Sequence, residues 1–411
     1  MNSFSNYLRF IRENTPFLAA GALLSALSSF GQTFVIAVFA GEIRAEFGLT
    51  NGAWGLIYMI ATMASAAVMI WGGSLTDRFR ARNLGIVVLL LLAVTCVAMA
   101  WNTHVIGLFV IIFCLRFFGQ GMSSTISIVA ISRWFIATRG QALAIAALGF
   151  ITAEMVLPVS VVWLKSHVDW RVIWLGFSGI IIVLIPLLWF LLRLERTPQA
   201  TAKENIATGM ENRHWTRAQA LGSPLFWTIA LAMTLFPMMA TVFWFNQVHF
   251  AEVKGWDHLK LVAVFPLGTA TFMASNFLFG WAVDRFGVSR LLPIYLLPYS
   301  AAFIIHAFAP TVGWSALGVI LMGLAGGGQS TLPGSVWSTY FGTAHIGSIK
   351  SAAVSLAVLG SAIGPGLSGW LIDIGFQYEK QLLLYSTTFV IASLCMIIPL
   401  RKANARLTRA T

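Results

Sequence analysis

The sequence predicts an all-α polytopic membrane protein of twelve transmembrane helices, arranged as two six-helix pseudo-repeats. Three observations carry that prediction. The chain is 58 % hydrophobic and only 10 % charged, with a mean hydropathy of +0.82, so a soluble fold would leave large apolar patches in water. Apolar runs long enough to cross a hydrocarbon core of roughly 30 Å, about 20 helical residues each, recur along its length. Finally, the stretch Gly73-Ser-Leu-Thr-Asp77-Arg78-Phe79 at the end of one apolar run returns as Gly280-Trp-Ala-Val-Asp284-Arg285-Phe286, 207 positions on in a chain of 411.

In order, the first six spans run near Phe17 to Ala40, Ala53 to Leu75, Leu84 to Ala100, Val105 to Ile131, Gln141 to Leu164 and Val172 to Leu192. The second six run near Leu225 to Phe245, Leu259 to Val283, Leu291 to Phe308, Gly313 to Tyr340, Gly347 to Ile372 and Leu382 to Leu400. Residues 1–192 and 224–411 thus form two bundles, and 193–223, polar and without apolar periodicity, reads as a partly mobile cytoplasmic linker, with a surface helix around Glu204 to Ala220 as a further possibility. A second echo supports the equivalence of spans four and ten: Ser124-Thr125 and Ser132-Arg133-Trp134-Phe135 answer to Ser330-Thr331 and Ser338-Thr339-Tyr340-Phe341, at an offset of 206. Halves of that length exceed any solenoid period and match the internal repeats of secondary transporters.

The net charge of +12 lies at span ends. With the N-terminus in the cytoplasm, nineteen Lys and Arg fall on the inner side and six on the outer, the positive-inside pattern that sets both termini in the cytoplasm. This distribution points to a lipid bilayer and away from nucleic acid. The chain opens without a cleavable leader, so the first span would serve as anchor. Cys96, Cys114 and Cys395 lie in apolar spans and read as small core residues.

Gly-x-Leu-x-Asp-Arg-Phe after the second span resembles the loop signature of the major facilitator superfamily, departing from it at Arg80 and Ala81. Trp134-Phe135 followed by Arg139-Gly140 is similar to monocarboxylate-type and oxalate/formate-type members. The resemblance implies the family's two-bundle fold. It also implies that Gly73, Asp77 and Arg78 latch one half to the other, with Gly280, Asp284 and Arg285 as the second-half match. Plain topology and helix packing are the alternative. In the family, an arginine followed by a Gly-Gln-Gly-like segment, here Arg116 with Gly119-Gln120-Gly121, is implicated in substrate or proton handling.

Charges inside the bilayer are expensive, by ~2.5 to 3.5 kcal/mol on insertion scales. Of the acidic residues only Glu154 falls mid-span, and Arg116 is its basic counterpart. Arg116 precedes Trp134 by about 27 Å of helix and Glu154 follows Gln141 by about 20 Å, so a direct or water-bridged pair is possible, as is separate exposure to a cavity. Arg116, Gln120, Ser123 and Ser127 share one helical face. Arg116 is a candidate substrate site, or else an arginine tied to backbone carbonyls that holds helices together. Glu154 is a candidate proton-coupling site, or else a protonated structural donor. Gln120, Gln32, Trp244 and Gln329 are further candidate substrate contacts, although hydroxyls and amides in spans often only join helices. Gly364 and Pro365, in Gly360-x-x-x-Gly364-Pro365-Gly366-x-x-Gly369, read as a close-packed gating point. His104, His167, His249, His258 and His306 lie near outer ends, with His214 and His345 inside; most read as solvated, and none pairs at metal-ligand spacing.

The sequence has no His-Glu-x-x-His, Gly-x-Ser-x-Gly or Walker loop, so neither an enzyme nor a cofactor is expected. The expectation is a carrier acting by alternating access as a monomer in a bacterial inner membrane, coupling proton entry to uptake of a small organic anion. The alternative is a proton antiporter exporting drugs or metabolites. Against it, that signature in the fifth span calls for Gly-Pro, where this chain has Leu157-Pro158 downstream of Gly149.

Overall fold

The computed structural model describes residues 2–73, 75–135, 138–193 and 208–408, and no strand occurs among them. Ten helices are long and apolar enough to cross a membrane, and a bent pair, Arg9–Gly31 with Thr33–Phe47, makes an eleventh. The remaining expected span, the ninth, is interrupted: Val288–Leu291 is followed by turns and then by Leu297–Phe308, 12 residues long. Pro293 and Pro298 explain the interruption, since neither supplies a backbone N–H and each disfavours helix in the residue before it.

The chain forms two compact units, residues 1–49 with 60–203, and residues 50–59 with 204–411. In the first, the first span packs on the fifth (Arg139–Lys165) and the third (Ala81–Trp101) on the sixth (Trp170–Leu191). In the second, the seventh (Pro224–Phe245) packs on the eleventh (Ile346–Asp373) and the ninth on the twelfth (Tyr378–Thr408). The repeat legible in the loop signature is therefore repeated in the pairing of helices. Lipid supplies no hydrophobic drive between helices, so small residues and interhelical hydrogen bonds carry these contacts.

Both signature copies end helices. Gly73 donates its N–H to the Met69 carbonyl at 2.8 Å, a short helix follows at Leu75–Arg78, and Arg133 Nη1 donates to the Thr76 carbonyl at 2.6 Å, pinning the loop. Arg78 is exposed; the Asp77 side chain lies outside the described residues, and with it the expected latch. Asp284 and Arg285 are exposed at the end of Phe265–Phe286, and Gly280 has open space beside it.

Gly364 lies against the seventh span, where a Cβ would come 2.8 Å from the Met238 carbonyl oxygen. The eleventh span also receives the start of the second, Asn51–Gly72. The Pro365 carbonyl oxygen lies 2.6 Å from where a Cβ on Gly55 would stand. The Asp373 carboxylate accepts from the Thr50 hydroxyl at 2.6 Å and from the Gly52 N–H at 2.9 Å, capping the second span. Asp373→Ala is expected to lower the melting temperature in detergent, in line with the loss of about 1 kcal/mol for an N-cap. The Thr50 hydroxyl also accepts from the Ala53 N–H at 3.1 Å, so Thr50→Val should lower the melting temperature further; no added loss in the double variant would contradict this.

Of the expected linker, residues 194–207 lie outside the described residues, and 208–223 belong to the second unit. Trp215 is buried, donates its N–H to the Phe341 carbonyl at 3.0 Å and meets the Phe341 ring edge-on. Thr216 and Gln219 form a reciprocal cap on the short helix Arg217–Leu221. The apolar tryptophan, not the polar composition around it, decides the outcome. His306 is not solvated: it is fully buried, with Nδ1 3.1 Å from the Ser315 hydroxyl and its ring stacked obliquely on Phe243.

Candidate functional site

The first span breaks in mid-course. Ser28 turns its hydroxyl onto the Ser25 carbonyl at 2.7 Å, a tight turn occupies Ser28–Gly31, and Gln32 is extended (φ −86°, ψ 154°) before helix resumes at Thr33. The two helical stretches meet at 45°. Ser28, Ser29, Gly31, Gln32 and Thr33 within six residues favour this break, because the hydroxyls compete for backbone groups and Gly31 carries no side chain. Gly31 is also required by contact with the fourth span. A Cβ there would fall 2.0 Å from the Leu115 carbonyl oxygen and 2.8 Å from Gly119 Cα. Irregular backbone at this depth is tolerated only where protein buries it or where it lines a cavity. The first condition holds: from Leu27 to Ala40 every residue is buried except Gln32 and Thr33, which keep accessible surface.

The fourth span is irregular opposite the break. Between Val105–Cys114 and Ser124–Trp134 it winds as a π-helix over Leu115–Ser123. Such windings are uncommon and are often found at functional sites. The π-turn alters the polar face expected from a 3.6-residue period. Ser123 bonds the Phe118 carbonyl five residues back at 2.9 Å, and Ser127 bonds the Gly21 carbonyl of the first span at 2.7 Å. Both serines are fully buried and join backbone, while Gln120 keeps accessible surface beside the break.

Arg116 is 3 % exposed. Its Nη1 donates to the Gly31 carbonyl at 3.2 Å and to Thr33 Oγ1 at 3.4 Å. A charge this deep is held by the break itself, and it brings to one place a guanidinium, two amides and a hydroxyl. That set can orient an anion: the guanidinium fork matches a carboxylate, and Gln32, Gln120 and Thr33 offer polar groups around it.

Glu154 approaches the same break from the fifth span. That span follows the first through Gly149 against the Ala22 backbone, Phe150 edge-on to Phe34 at 5.7 Å, and Lys165, whose Nζ donates to the Val38 carbonyl at 2.6 Å. Glu154 stands one turn beyond Phe150 and so shares its face. It keeps accessible surface and, among the described residues, has no hydrogen bond or ion pair. Arg116 engages the first span rather than Glu154, so of the two arrangements left open by the sequence this one has no direct pair.

The other two candidates lie in the second unit. Gln329 accepts from the Tyr295 hydroxyl at 3.0 Å and donates to the Met233 carbonyl at 3.3 Å, tying the tenth span to the ninth and seventh. Trp244 stays partly accessible and stands edge-on to Phe265 at 4.6 Å. Thr33 was not singled out from the sequence. The signal that could have found it is the cluster Ser28-Ser29-Phe30-Gly31-Gln32-Thr33, rich in turn-forming residues inside an apolar span.

The sequence profile of the Major Facilitator Superfamily matches residues 21–278 and 267–411. Among curated relatives, monocarboxylate transporter 13 of Bos taurus is 24 % identical over 393 residues, covering 94 % of this chain and 88 % of that one. A multidrug resistance protein B homolog of Mycobacterium tuberculosis is 29 % identical over 93 residues, 23 % of this chain and 17 % of that one. Among solved structures, a bacterial homolog of the human lysosomal transporter Spinster, inward-facing and unoccupied, superposes with a TM-score of 0.68 at 16 % identity, over 97 % of this chain and 96 % of its own. The nucleoside transporter NupG does so with 0.67 at 12 % identity, over 95 % and 99 %. At these identities the structural likenesses speak for the fold.

Proposed function

This chain belongs to the Major Facilitator Superfamily of membrane transporters, and from that premise we propose that it takes up a small organic anion together with protons by alternating access. The observation that carries the reading is Arg116, a buried guanidinium held at the break of the first span. A buried charge is costly in a membrane unless function requires it, and a carboxylate is a natural counter-ion for a guanidinium. The full-length likeness to a monocarboxylate transporter supports the same substrate class.

Glu154 is the proton site in this reading. Its carboxyl sits one helix away from Arg116, among apolar neighbours, without a fixed partner among the described residues. A neutral and an ionised form can therefore alternate during the cycle. Glu154→Gln, reconstituted in liposomes, is expected to keep exchange of labelled carboxylate for unlabelled and to lose acceleration by an inward proton gradient. Unchanged acceleration would end the coupling role.

The protein works as a monomer in a bacterial inner membrane with both termini in the cytoplasm, as the distribution of Lys and Arg supports. Proton-driven efflux is the second reading, favoured by the local likeness to the multidrug resistance homolog. That likeness spans under a quarter of the chain and leaves the role of Arg116 unexplained, so uptake is preferred.

A further inference from the structure

The backbone hydrogen bonds around the break have an uneven distribution. In a continuous helix the Gly31 carbonyl would accept from the Val35 N–H. Here the Val35 N–H and the Ile36 N–H both go to the Gln32 carbonyl, each at 3.1 Å. The helical ladder thus passes over the Gly31 carbonyl, and Arg116 Nη1 serves it instead. Its two contacts to the break, 3.2 and 3.4 Å, are long for charge-assisted bonds, which run about 2.7–2.9 Å to a carboxylate.

We propose that the Gly31 carbonyl and the Thr33 hydroxyl are the resting acceptors of Arg116, and that an anionic substrate displaces them and heals the first span. The inference rests on Arg116 being the anion site. A carboxylate offers shorter, bidentate bonds and draws the guanidinium off the break. The Gly31 carbonyl, buried in a medium without water, then requires another donor. The Val35 N–H is the donor that would serve it in a continuous helix, and it can move because the Ile36 N–H continues to satisfy the Gln32 carbonyl. The shift turns an i to i−3 bond into an i to i−4 bond, converting the tight turn to α-helix and reducing the 45° bend. Thr33 is accordingly a positioning residue: it holds Arg116 against the break while the site is empty.

Thr33→Val keeps the shape and removes the acceptor. With one competitor gone, lactate and succinate should bind the purified protein about 3- to 10-fold more tightly, while maximal transport rate falls, because the Gly31 carbonyl alone then draws Arg116 back to the break when substrate leaves. Thr33→Ser restores both values. Hydrogen–deuterium exchange of a peptide covering residues 31–36 should slow when either acid is added to the wild-type protein. Weaker binding in Thr33→Val, or binding unchanged with no change in exchange, overturns the inference and leaves the anion site standing, provided that binding is lost in Arg116→Ala. If wild-type protein binds neither acid, the anion reading fails and this inference fails with it.

Discussion

Arg116→Ala is expected to reduce carboxylate uptake by about 100-fold or more, corresponding to roughly 3 kcal/mol for a buried charged hydrogen-bonding group. Two losses add together. The substrate loses its counter-charge, and the Gly31 carbonyl loses the donor that replaces its helical one. The second loss alone would lower stability without specificity for the anion, so the two are separated by Arg116→Lys. Lysine keeps the charge but presents a compact ammonium in place of the planar fork that meets a carboxylate through two nitrogens, and about a tenfold loss of uptake is expected with the fold retained. Full uptake in Arg116→Lys would reduce the residue to a point charge. Full uptake in Arg116→Ala would remove it from the site.

Gly31→Ala should be comparably damaging for a steric reason. The added Cβ would stand 2.0 Å from the Leu115 carbonyl oxygen and 2.9 Å from the Gln120 backbone nitrogen. These are backbone atoms, which cannot turn aside as a flexible side chain does, so the first and fourth spans must separate. Overpacking of this kind costs typically 1–3 kcal/mol, and here it also moves Arg116 off the break. Transport is expected to fall at least about tenfold, with a lower melting temperature. Gly176→Ala is the control, since nothing lies within 4 Å of the added methyl group; it should leave both values unchanged. If Gly31→Ala transports like the wild type, the close crossing of the two spans has no part in the mechanism.

Much of this was legible in the chain. The composition and apolar runs indicate spans, and the return of Gly73–Phe79 at Gly280–Phe286 indicates the repeat that reappears in the pairing of spans one with five and seven with eleven. Arg116 and Glu154 stand out because a charge inside a span needs an explanation whatever the fold. The break of the first span and the π-winding of the fourth were not legible. Both depend on Gly31 and Gly119 meeting across two helices, a contact that no local period records. Ser123 and Ser127 were misread for the same reason: their shared face assumes 3.6 residues per turn, and the π-turn removes that register. The burial of His306 was not legible either, because it depends on Ser315 and Phe243 meeting its ring from other helices. Trp215 looks like part of a polar linker until the Phe341 ring is seen against it.

The most direct test uses purified protein in liposomes loaded with a pH-sensitive dye and challenged with carboxylates, neutral metabolites and cations. Acidification of the lumen that depends on an added carboxylate, disappears in Arg116→Ala and changes in Glu154→Gln is the predicted result. Alkalinisation of a preacidified lumen by cationic or neutral compounds, with no response to any carboxylate, would contradict the account and assign the protein to proton-driven efflux.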